Sequence, residues 1–488
     1  MPSERVSRRR VGRDRGCARP GQGSAPAADQ IQILRRPMHP LFDLVLQDLR
    51  VDAAQMAEEG HDPAALNREI DAAAATQSLD ALARLQEDLW RRPSPPDFPY
   101  EEPGDWETIS AGFPNPESHA RFYGSDDDLY DRIHGGWLGR CAGCQLGKPL
   151  EGTTWPDKIK QVLEFVGSWP LTDYMNPAPE GMKVEQLPDC DFFQRNHTWR
   201  NTLCKGRFDH VAPDDDIHYA LVSQMVLHEH GVEFTSEQAA AVLTRVMPLS
   251  CLWASGRNLF RRTVFGIPPA LAARYGNPAR QSLGAQIRCD PYGWGAPGNP
   301  ALAARMAFKD AVNSQVRNGI YSGIFFATLM ADTLAHGDPV RAIDTAAGYV
   351  PPQSRFAEMI RFVKAQCAAT EDWQAVNAAI LAKWPEESKK FNHSIPNAAI
   401  VLLGLIKGAG DFTRTLGITV MAGLDTDCTG ATAGSILGCA LGAQRIPARW
   451  IEPFHDTIRS DVKGMFELRI SETARRMTEL ALPHARRA

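Results

Sequence analysis

Two groups of aspartates that lie far apart in the sequence have the residue types to bind a divalent cation together. They are Asp214, Asp215 and Asp216 in the first group and Asp425 and Asp427 in the second. The second group lies between two segments of small and apolar residues, where unpaired carboxylates are costly, and no lysine or arginine occurs between Arg414 and Arg445. Because Mg²⁺ takes carboxylate oxygens as ligands, the sequence predicts one or two Mg²⁺ ions, provided that the fold brings the groups together.

The first group also has a purely structural explanation, as the cap of a helix predicted to begin at Ile217. Aspartate in a first helical turn complements the helix dipole and accepts hydrogen bonds from free backbone N–H groups. The chain supplies its own comparison, because the run Ser125–Asp128 precedes another predicted helix and needs no other explanation. For Asp214–Asp216 alone the cap is the better interpretation, and only the second group favours a metal site.

Glycines at a spacing of four mark two predicted helices. They are Gly139, Gly143 and Gly147 in one segment and Gly430, Gly434, Gly438 and Gly442 in the other. Positions four apart share one helix face, and each glycine inside a helix costs about 1 kcal/mol relative to alanine. Repeated glycines on one face therefore predict that the backbone of another helix approaches closely there.

Glu151 and a glycine-rich segment at 284–298 are the remaining candidates for chemistry. Glu151 directly follows the first glycine-striped helix, although a surface carboxylate is the simpler interpretation when it is taken alone. Backbone amides of glycine-rich loops can bind phosphate, and aromatic side chains can stack on a base. An ordinary connector explains 284–298 equally well, although long loops are often functional. The substrate-binding candidates in this loop are Gln286, Arg288, Asp290, Tyr292, Gly293, Trp294 and Gly298.

Other chemistries find less support in the sequence. Cys141 and Cys144 form half of a zinc signature, but no second pair follows at the required spacing, so they are better interpreted as small core residues. The sequence contains no nucleophile elbow, P-loop or dinucleotide-binding fingerprint.

The composition is typical of a globular protein and does not by itself identify an enzyme. The chain has 488 residues, of which 43% are hydrophobic and 23% charged, and its formal net charge is −5. This weakly acidic balance gives no indication of nucleic acid, and no segment reaches the ~20 apolar residues that span a bilayer. With scattered cysteines, the sequence predicts a reduced, cytoplasmic protein without a membrane partner.

The chain is predicted to be all-α, because helical periodicity recurs and no series of alternating strands is found. Residues 1–37 are predicted to be either disordered or a mis-annotated extension. Residues 38–124 are predicted to form a helical hairpin, with two helices over 40–92, and a Pro-rich linker. Residues 125–488 are predicted to form the catalytic domain, which ends in a helix over Arg459–Leu482.

Several of these features, in this order, resemble the ADP-ribosylglycohydrolase family, which includes ADP-ribosyl-acceptor hydrolases and the dinitrogenase-reductase-activating glycohydrolase. They are the motif HGGWLGRCAG that begins at His134 and runs on to Glu151, the segment Pro213–Asp216, and the segment Gly423–Asp427 that leads into the second glycine-striped helix. The resemblance covers roughly residues 131–455. It implies a compact all-α fold with a binuclear Mg²⁺ centre, or Mn²⁺ in some members.

The resemblance also implies roles for individual residues. Asp214, Asp215 and Asp216 correspond to the first ligand group, and Asp425 and Asp427 correspond to the second. Asp425 or Asp427 would also act catalytically by positioning or deprotonating a water molecule. Glu151 corresponds to a glutamate near the metals that gates or assists the reaction, and the 284–298 loop corresponds to the segment around the substrate diphosphate and ribose.

Two positions depart from the family pattern. Many members have a threonine ligand where this chain has Cys428, and a thiol is a poor ligand for Mg²⁺. Either Thr429 takes its place or the second ion is weakly held. The other departure is Gln315, at a position where related sequences commonly carry histidine.

The resemblance implies a glycosidase that cleaves the ribosyl bond of an ADP-ribosylated protein or of an ADP-ribose derivative. One alternative is a hydrolase of nucleosides or small N-ribosides on the same fold, which gains support if 284–298 offers no free backbone amides near the metals. The other alternative is a non-catalytic relative, either crystallin-like or ligand-binding. The presence of Asp425, Asp427 and Glu151 argues against this last alternative.

Overall fold

The chain folds as an assembly of α-helices, which confirms the predicted fold class. The computed structural model describes residues 40–115, 122–179, 181 and 201–485, and the predictions made for residues 1–37 lie outside these. Among the described residues the only sheet has two strands, β1 (Thr457–Arg459) and β2 (Glu467–Arg469), which pair antiparallel. No helix in this part of the chain is both long and apolar enough to cross a membrane.

The α-helices are numbered here in chain order over the described residues. The first eleven are α1 Pro40–Ala57, α2 Pro63–Ala75, α3 Leu79–Arg91, α4 Trp106–Ser110, α5 Asp126–Gly147, α6 Pro156–Phe165, α7 Asp215–His230, α8 Ser236–Val246, α9 Ala254–Val264, α10 Pro269–Ala272 and α11 Asp290–Trp294. The following ten are α12 Pro300–Ala311, α13 Asn318–His336, α14 Pro339–Ala347, α15 Arg355–Ala369, α16 Trp373–Lys383, α17 Pro385–Ser388, α18 Ser394–Gly408, α19 Phe412–Met421, α20 Thr426–Leu441 and α21 Ile470–Ala481.

The glycine-striped helices α5 and α20 pack antiparallel against each other. This confirms the predicted close approach of another helix to each stripe, although the spacing of the glycines did not identify the partner. Gly139 lies opposite Gly434 and Gly143 lies opposite Gly430, so closely that a Cβ on any of the four would overlap with the backbone carbonyl of its partner. Towards one end of the contact, Gly147 faces the backbone of Thr426 in the same way. The C-terminus of α5 is thereby held against the N-terminus of α20.

Buried helices pack around α5 and α20 and hold the pair in place. Helix α13 is buried at every position from Asn318 to Leu334, and α18 is buried along nearly its whole length. Both belong to one continuous apolar core that also includes α5, α7 and α20. Burial of apolar area on this scale is the main favourable term in folding, and it gives the ends of these helices fixed positions.

The N-terminal helical unit, residues 40–91, differs from the predicted hairpin because it has three helices rather than two. The second predicted helix is interrupted at Gln77, which adopts φ +55°. Ser78 then caps α3 by accepting a hydrogen bond from the backbone N–H of Ala81, the role for which serine is favoured. The unit has a small apolar core of its own, formed by Leu49, Ala53, Met56, Leu66, Ile70, Leu82 and Leu89.

Residues 92–115 lie as a strap on the larger domain. Within it, Glu102 is buried and accepts two hydrogen bonds from the guanidinium of Arg355, each of 2.8 Å. It also accepts one from the side-chain amide of Asn318. A fully paired buried carboxylate of this kind fixes the strap in one position.

The prediction of a helix over Arg459–Leu482 is wrong for the first half of that range. The strands β1 and β2 and their turn occupy 457–469, and only α21 is helical. The turn contains Gly464 at φ +83°, a conformation that L side chains rarely adopt and that ends helical geometry. The sequence pattern of this segment did not separate the hairpin from the helix that follows it.

The glycine contact predicts a large loss of stability for Gly143→Ala. Alanine is the better helix former by about 1 kcal/mol, but its methyl group would overlap with the carbonyl of Gly430, on a backbone that cannot shift without separating the helices. We expect the free energy of unfolding in urea to fall by about 2 kcal/mol. The matched control is Gly112→Ala, where an added Cβ meets nothing within 4 Å. Equal stability of the two variants would contradict this account of the contact.

Candidate metal centre

The first aspartate group is both a helix cap and part of an acidic cluster. Asp214 is the N-cap of α7 and its Oδ1 accepts a hydrogen bond of 2.9 Å from the backbone N–H of Asp216. Its Oδ2 forms an ion pair with Lys148, which follows the C-terminus of α5. The cap that the sequence predicted is therefore present, and it does not exclude a second role for this group.

The second aspartate group follows a tight turn between α19 and α20, with Asp425 as the N-cap of α20 and Asp427 in its first turn. Gly423 has φ +93° and Leu424 has φ +61°. A Cβ at Gly423 would overlap with the carbonyl of Thr154, and that carbonyl accepts a hydrogen bond of 2.6 Å from the N–H of Leu424. The turn is thus tied to the segment that follows Glu151, which brings this glutamate beside Asp425.

The structure brings acidic and thiol side chains into three groups whose potential ligand atoms lie within 4.8 Å of one another. The groups are Glu151 with Asp425 and Asp427, Asp216 with Asp427 and Cys428, and Asp214 with Asp216 and Cys144. Asp427 belongs to the first and second of these groups, and Asp216 belongs to the second and third. Asp215 belongs to none of them, although the charge of Asp427 acts on its carboxyl. The predicted metal and catalytic residues are therefore close in space, whereas their roles stay predictions.

Two basic residues that the sequence did not identify as part of the site partly neutralise this cluster. Arg140 is fully buried on α5 and donates from Nη2 to Asp216 Oδ1 at 3.0 Å and from Nη1 to Asp290 Oδ2 at 2.7 Å. Lys148 is the partner of Asp214. A charged residue on a buried helix of small residues needs a buried partner. The position of Arg140 within the glycine-striped segment could therefore have indicated such a pairing.

Burial and mutual repulsion make the carboxylates of the cluster hard to ionise in the absence of a cation. Burial raises the pKa of Asp216 to about 8, with Arg140 opposing the rise and Asp427 adding to it. Burial and the charge of Asp427 raise the pKa of Asp215 to about 6. The pKa of Asp425 lies well above the usual range, because the group is buried and Asp427 and Glu151 are near. A positive charge at this point would reverse all three effects.

Cys428 occupies the position at which many members of the family have threonine. Its buried thiol lies beside Asp216 and Asp427. Burial and four nearby aspartates raise its pKa well above that of a free thiol, so it is uncharged. Thr429 donates its hydroxyl proton to the carbonyl of Asp425 at 2.8 Å. The other departure, Gln315, is buried and bonded to Ser255 and Ser282 rather than to the acidic cluster.

The segment 284–298 is not the open loop that the sequence predicted. It consists of a 3₁₀ helix, Leu283–Arg288, followed directly by α11, and its predicted substrate-binding residues are buried. The backbone N–H groups of Tyr292, Gly293, Gly295, Ala296 and Gly298 all donate to carbonyls within the protein. Those amides are therefore unavailable to a phosphate. The glycines that suggested a loop lie in or beside short helices.

The polar side chains of this segment brace the acidic site from within the core. Gln286 donates to the hydroxyl of Thr432 on α20 at 3.2 Å. Arg288 donates to Asp310 and to Ser314, at 2.7 Å each. Asp290 holds Arg140, as described above, and Trp294 packs against Trp137 with 5.1 Å between ring centroids, so α11 is fixed to α5. Substrate contact by these residues stays a prediction.

Comparison with known proteins agrees with the resemblance seen in the sequence. The model of the ADP-ribosylglycohydrolase family matches residues 125–481. Among solved structures, one titled "ADP-ribosylglycohydrolase-related protein complex" is similar, with 18% sequence identity, a TM-score of 0.47, and coverage of 73% of this chain and 99% of that chain. No protein of curated function gave a significant match.

The raised pKa of Asp215 predicts how the stability of the metal-free protein depends on pH. The folded-state pKa of about 6 exceeds the value of about 3.9 in an unfolded chain, so the folded state binds more protons between these values. Stability therefore falls as pH rises from about 4 to about 6. In EDTA, we expect the melting temperature of Asp215→Asn to fall less over this range than that of the unaltered chain. Asp127→Asn, at an exposed position in the comparable run of aspartates, should leave the profile unchanged; identical profiles for all three proteins would contradict the assignment.

Proposed function

We propose that this chain, which belongs to the ADP-ribosylglycohydrolase family, hydrolyses a ribosyl glycosidic bond with the help of one or two divalent cations. The observation that carries the proposal is the shared position of Asp427. It lies within ligand distance of Glu151 and Asp425 on one side and of Asp216 and Cys428 on the other. A carboxylate between two donor groups is the arrangement that supports a pair of neighbouring cations.

The donor atoms fit hard divalent ions, and they fit one position better than the other. Oδ1 of Asp427 is buried and accepts no hydrogen bond from the described residues. The group of Glu151, Asp425 and Asp427 offers only carboxylate oxygens, which suits Mg²⁺ or Mn²⁺. The group that includes Cys428 offers a thiol, so we propose that an ion there is held more weakly. Asp214, with both oxygens engaged, and Asp215 complete the first ligand group as the resemblance implies.

The residues of the site suit hydrolysis through a positively charged transition state. Cleavage of a glycosidic bond builds oxocarbenium-like charge on the ribose, and the surrounding carboxylates stabilise it. A bound divalent cation would supply orientation of the ribose hydroxyls and a lowered pKa for a water molecule. Asp425 or Asp427 would position or deprotonate the attacking water. Glu151, at the half-buried edge of the cluster, assists the leaving group or gates access.

We consider two substrate classes, and the family match and the packing of 284–298 favour different ones. Family membership favours an ADP-ribosylated protein or an ADP-ribose derivative as substrate. The backbone N–H groups of Tyr292, Gly293, Gly295, Ala296 and Gly298 already donate to carbonyls within the protein, which favours a nucleoside or small N-riboside. A non-catalytic role is the weakest candidate, because Glu151, Asp425 and Asp427 are present and close together. A cytoplasmic location stays part of the proposal, on the basis of the sequence.

Metal dependence is tested by screening ADP-ribosylated peptides, ADP-ribose derivatives and nucleosides for release of ribose-containing product. We expect turnover with Mg²⁺ or Mn²⁺ and none in excess EDTA. Asp427→Asn should lower kcat by about 100-fold or more, since both donor groups lose a charge. Asp127→Asn, which alters a like-charged run that only caps α5, should retain full activity. Turnover that survives EDTA would rule out the metal-dependent mechanism.

The thiol at Cys428 predicts that two ions bind with unequal affinity. Calorimetric titration of the unaltered chain with Mg²⁺ should show one tight site and one weak site. Cys428→Thr replaces the thiol by a hydroxyl oxygen of similar size, and we expect the weak site to tighten by about tenfold. The tight site should not change. If Cys428→Thr leaves both affinities as they were, Cys428 is not a neighbour of the second ion.

A further inference from the structure

Glu58 joins the N-terminal helical unit to two segments of the larger domain. It lies in the turn after α1, and its side chain is only 11% exposed. The carboxylate forms an ion pair with Lys390, accepts a hydrogen bond of 3.3 Å from Nε2 of His393, and accepts another of 3.3 Å from Nε2 of Gln281. These partners come from segments that are distant in sequence, so Glu58 holds the two segments together.

The bond between Glu58 and His393 has a defined direction. Nδ1 of His393 accepts a hydrogen bond of 3.3 Å from the backbone N–H of Ile395, because an N–H can only donate. Nε2 therefore carries the proton, and this proton is donated to Glu58. His393 is at the same time the N-cap of α18. The orientation of its ring, and with it the first turn of α18, is thus set by a residue of the N-terminal helical unit.

The first turn of α18 leads directly to the acidic site. The side-chain amide of Asn397 donates to the carbonyls of His393 and Phe391, at 2.8 Å each. Its Oδ1 accepts a hydrogen bond of 3.1 Å from the backbone N–H of Asp425. Asp425 is the N-cap of α20 and its own side chain makes no capping bond. Asn397 is therefore the side chain that holds the backbone N–H of this aspartate.

A second connection runs through the other segment that Glu58 touches. The backbone carbonyl of Gln281 accepts a hydrogen bond of 3.0 Å from the backbone N–H of Ser394. The backbone N–H of Leu283 donates to the carbonyl of Asn392 at 2.9 Å. The chain then continues into the 3₁₀ helix Leu283–Arg288, whose Ile287 carbonyl accepts from Arg140 at 2.6 Å. One segment held by Glu58 thus leads to Asn397, which contacts Asp425. The other leads to Ile287, which contacts Arg140.

We propose that Glu58 is a positioning residue for the acidic site, acting through His393 and Asn397 on the backbone of Asp425. The inference rests on the proposed function for its consequence in catalysis. The helical unit that carries Glu58 precedes the residues matched by the family model, 125–481. This unit thereby takes part in the geometry of a site to which it contributes no ligand.

A second carboxylate of the same unit separates positioning from simple attachment. Asp48 of α1 forms a buried ion pair with Arg262, at 2.6 Å, and so also attaches the unit to the larger domain. Among the described residues, no hydrogen bond or ion pair joins Asp48 to Gln281, Lys390 or His393. Because a buried ion pair adds little net stability compared with apolar packing, the more specific consequence of the Glu58 contacts is the orientation that they impose.

Hydrogen–deuterium exchange on the metal-free chain tests the positioning directly. In Glu58→Ala, we expect peptides covering 420–428 to exchange about tenfold faster, because the bond from Asp425 to Asn397 opens more often. Glu58→Gln keeps an acceptor for His393 and should show a smaller increase; it also serves if Glu58→Ala does not fold. Asp48→Asn should leave these peptides unchanged. Unaltered exchange in both Glu58 variants, or an equal increase in all peptides of the domain, would overturn the proposal.

Metal affinity then connects the positioning to the proposed function. Changes to groups that orient metal ligands weaken metal binding by about 10- to 100-fold, and we expect the dissociation constant for Mn²⁺ to rise by about tenfold in Glu58→Ala but not in Asp48→Asn. An unaltered chain that binds no Mn²⁺ would contradict the proposed function while the exchange data still decide the positioning. Equal Mn²⁺ binding by all variants would contradict the positioning alone.

Discussion

The close contact between the backbones of α5 and α20 is the constraint on which the rest of the structure depends. Glycines at matching positions let the two backbones touch, so the two helices lie at a fixed separation and a fixed register. The register places Gly147 against Thr426, whose hydroxyl donates to the Gly147 carbonyl at 2.9 Å. Lys148 and Glu151 on one helix end are thereby placed beside Asp425 and Asp427 on the other, although a long stretch of chain separates them.

The charge at these helix ends is only partly compensated by the protein itself. Arg140 and Lys148 each pair with one aspartate of the first group, whereas Asp425 remains buried beside other carboxyls that raise its pKa. A structure that buries acids in excess of its nearby bases gives up stability at neutral pH. Ligand binding can recover that free energy, since anything that binds only the folded state stabilises it.

The aspartate groups and the close approach of another helix to each glycine stripe could be predicted from the sequence, because they depend on residue type and local spacing, whereas a role for Glu151 was predicted only through the family resemblance. The pairing of Arg140 with Asp216 and Asp290 joins three distant segments, and no local pattern encodes such a triad. The burial of 284–298 was not predicted for a related reason, since glycine and aromatic residues are compatible with both an exposed loop and tightly packed short helices. The hairpin at 457–469 depends on pairing between strands of only three residues each, which is too short a pattern to recognise.

The matched register of the two glycine stripes limits where the chain length can vary during evolution. One residue inserted inside α5 or α20 would rotate everything beyond it by about 100° and move it by about 1.5 Å along the axis. The glycines past that point would leave the contact, and the acids at the helix ends would no longer face each other. Changes of chain length are therefore expected in the connections between helices, such as 265–268. A change of one residue inside α5 or α20 would instead move the acids at their ends out of register.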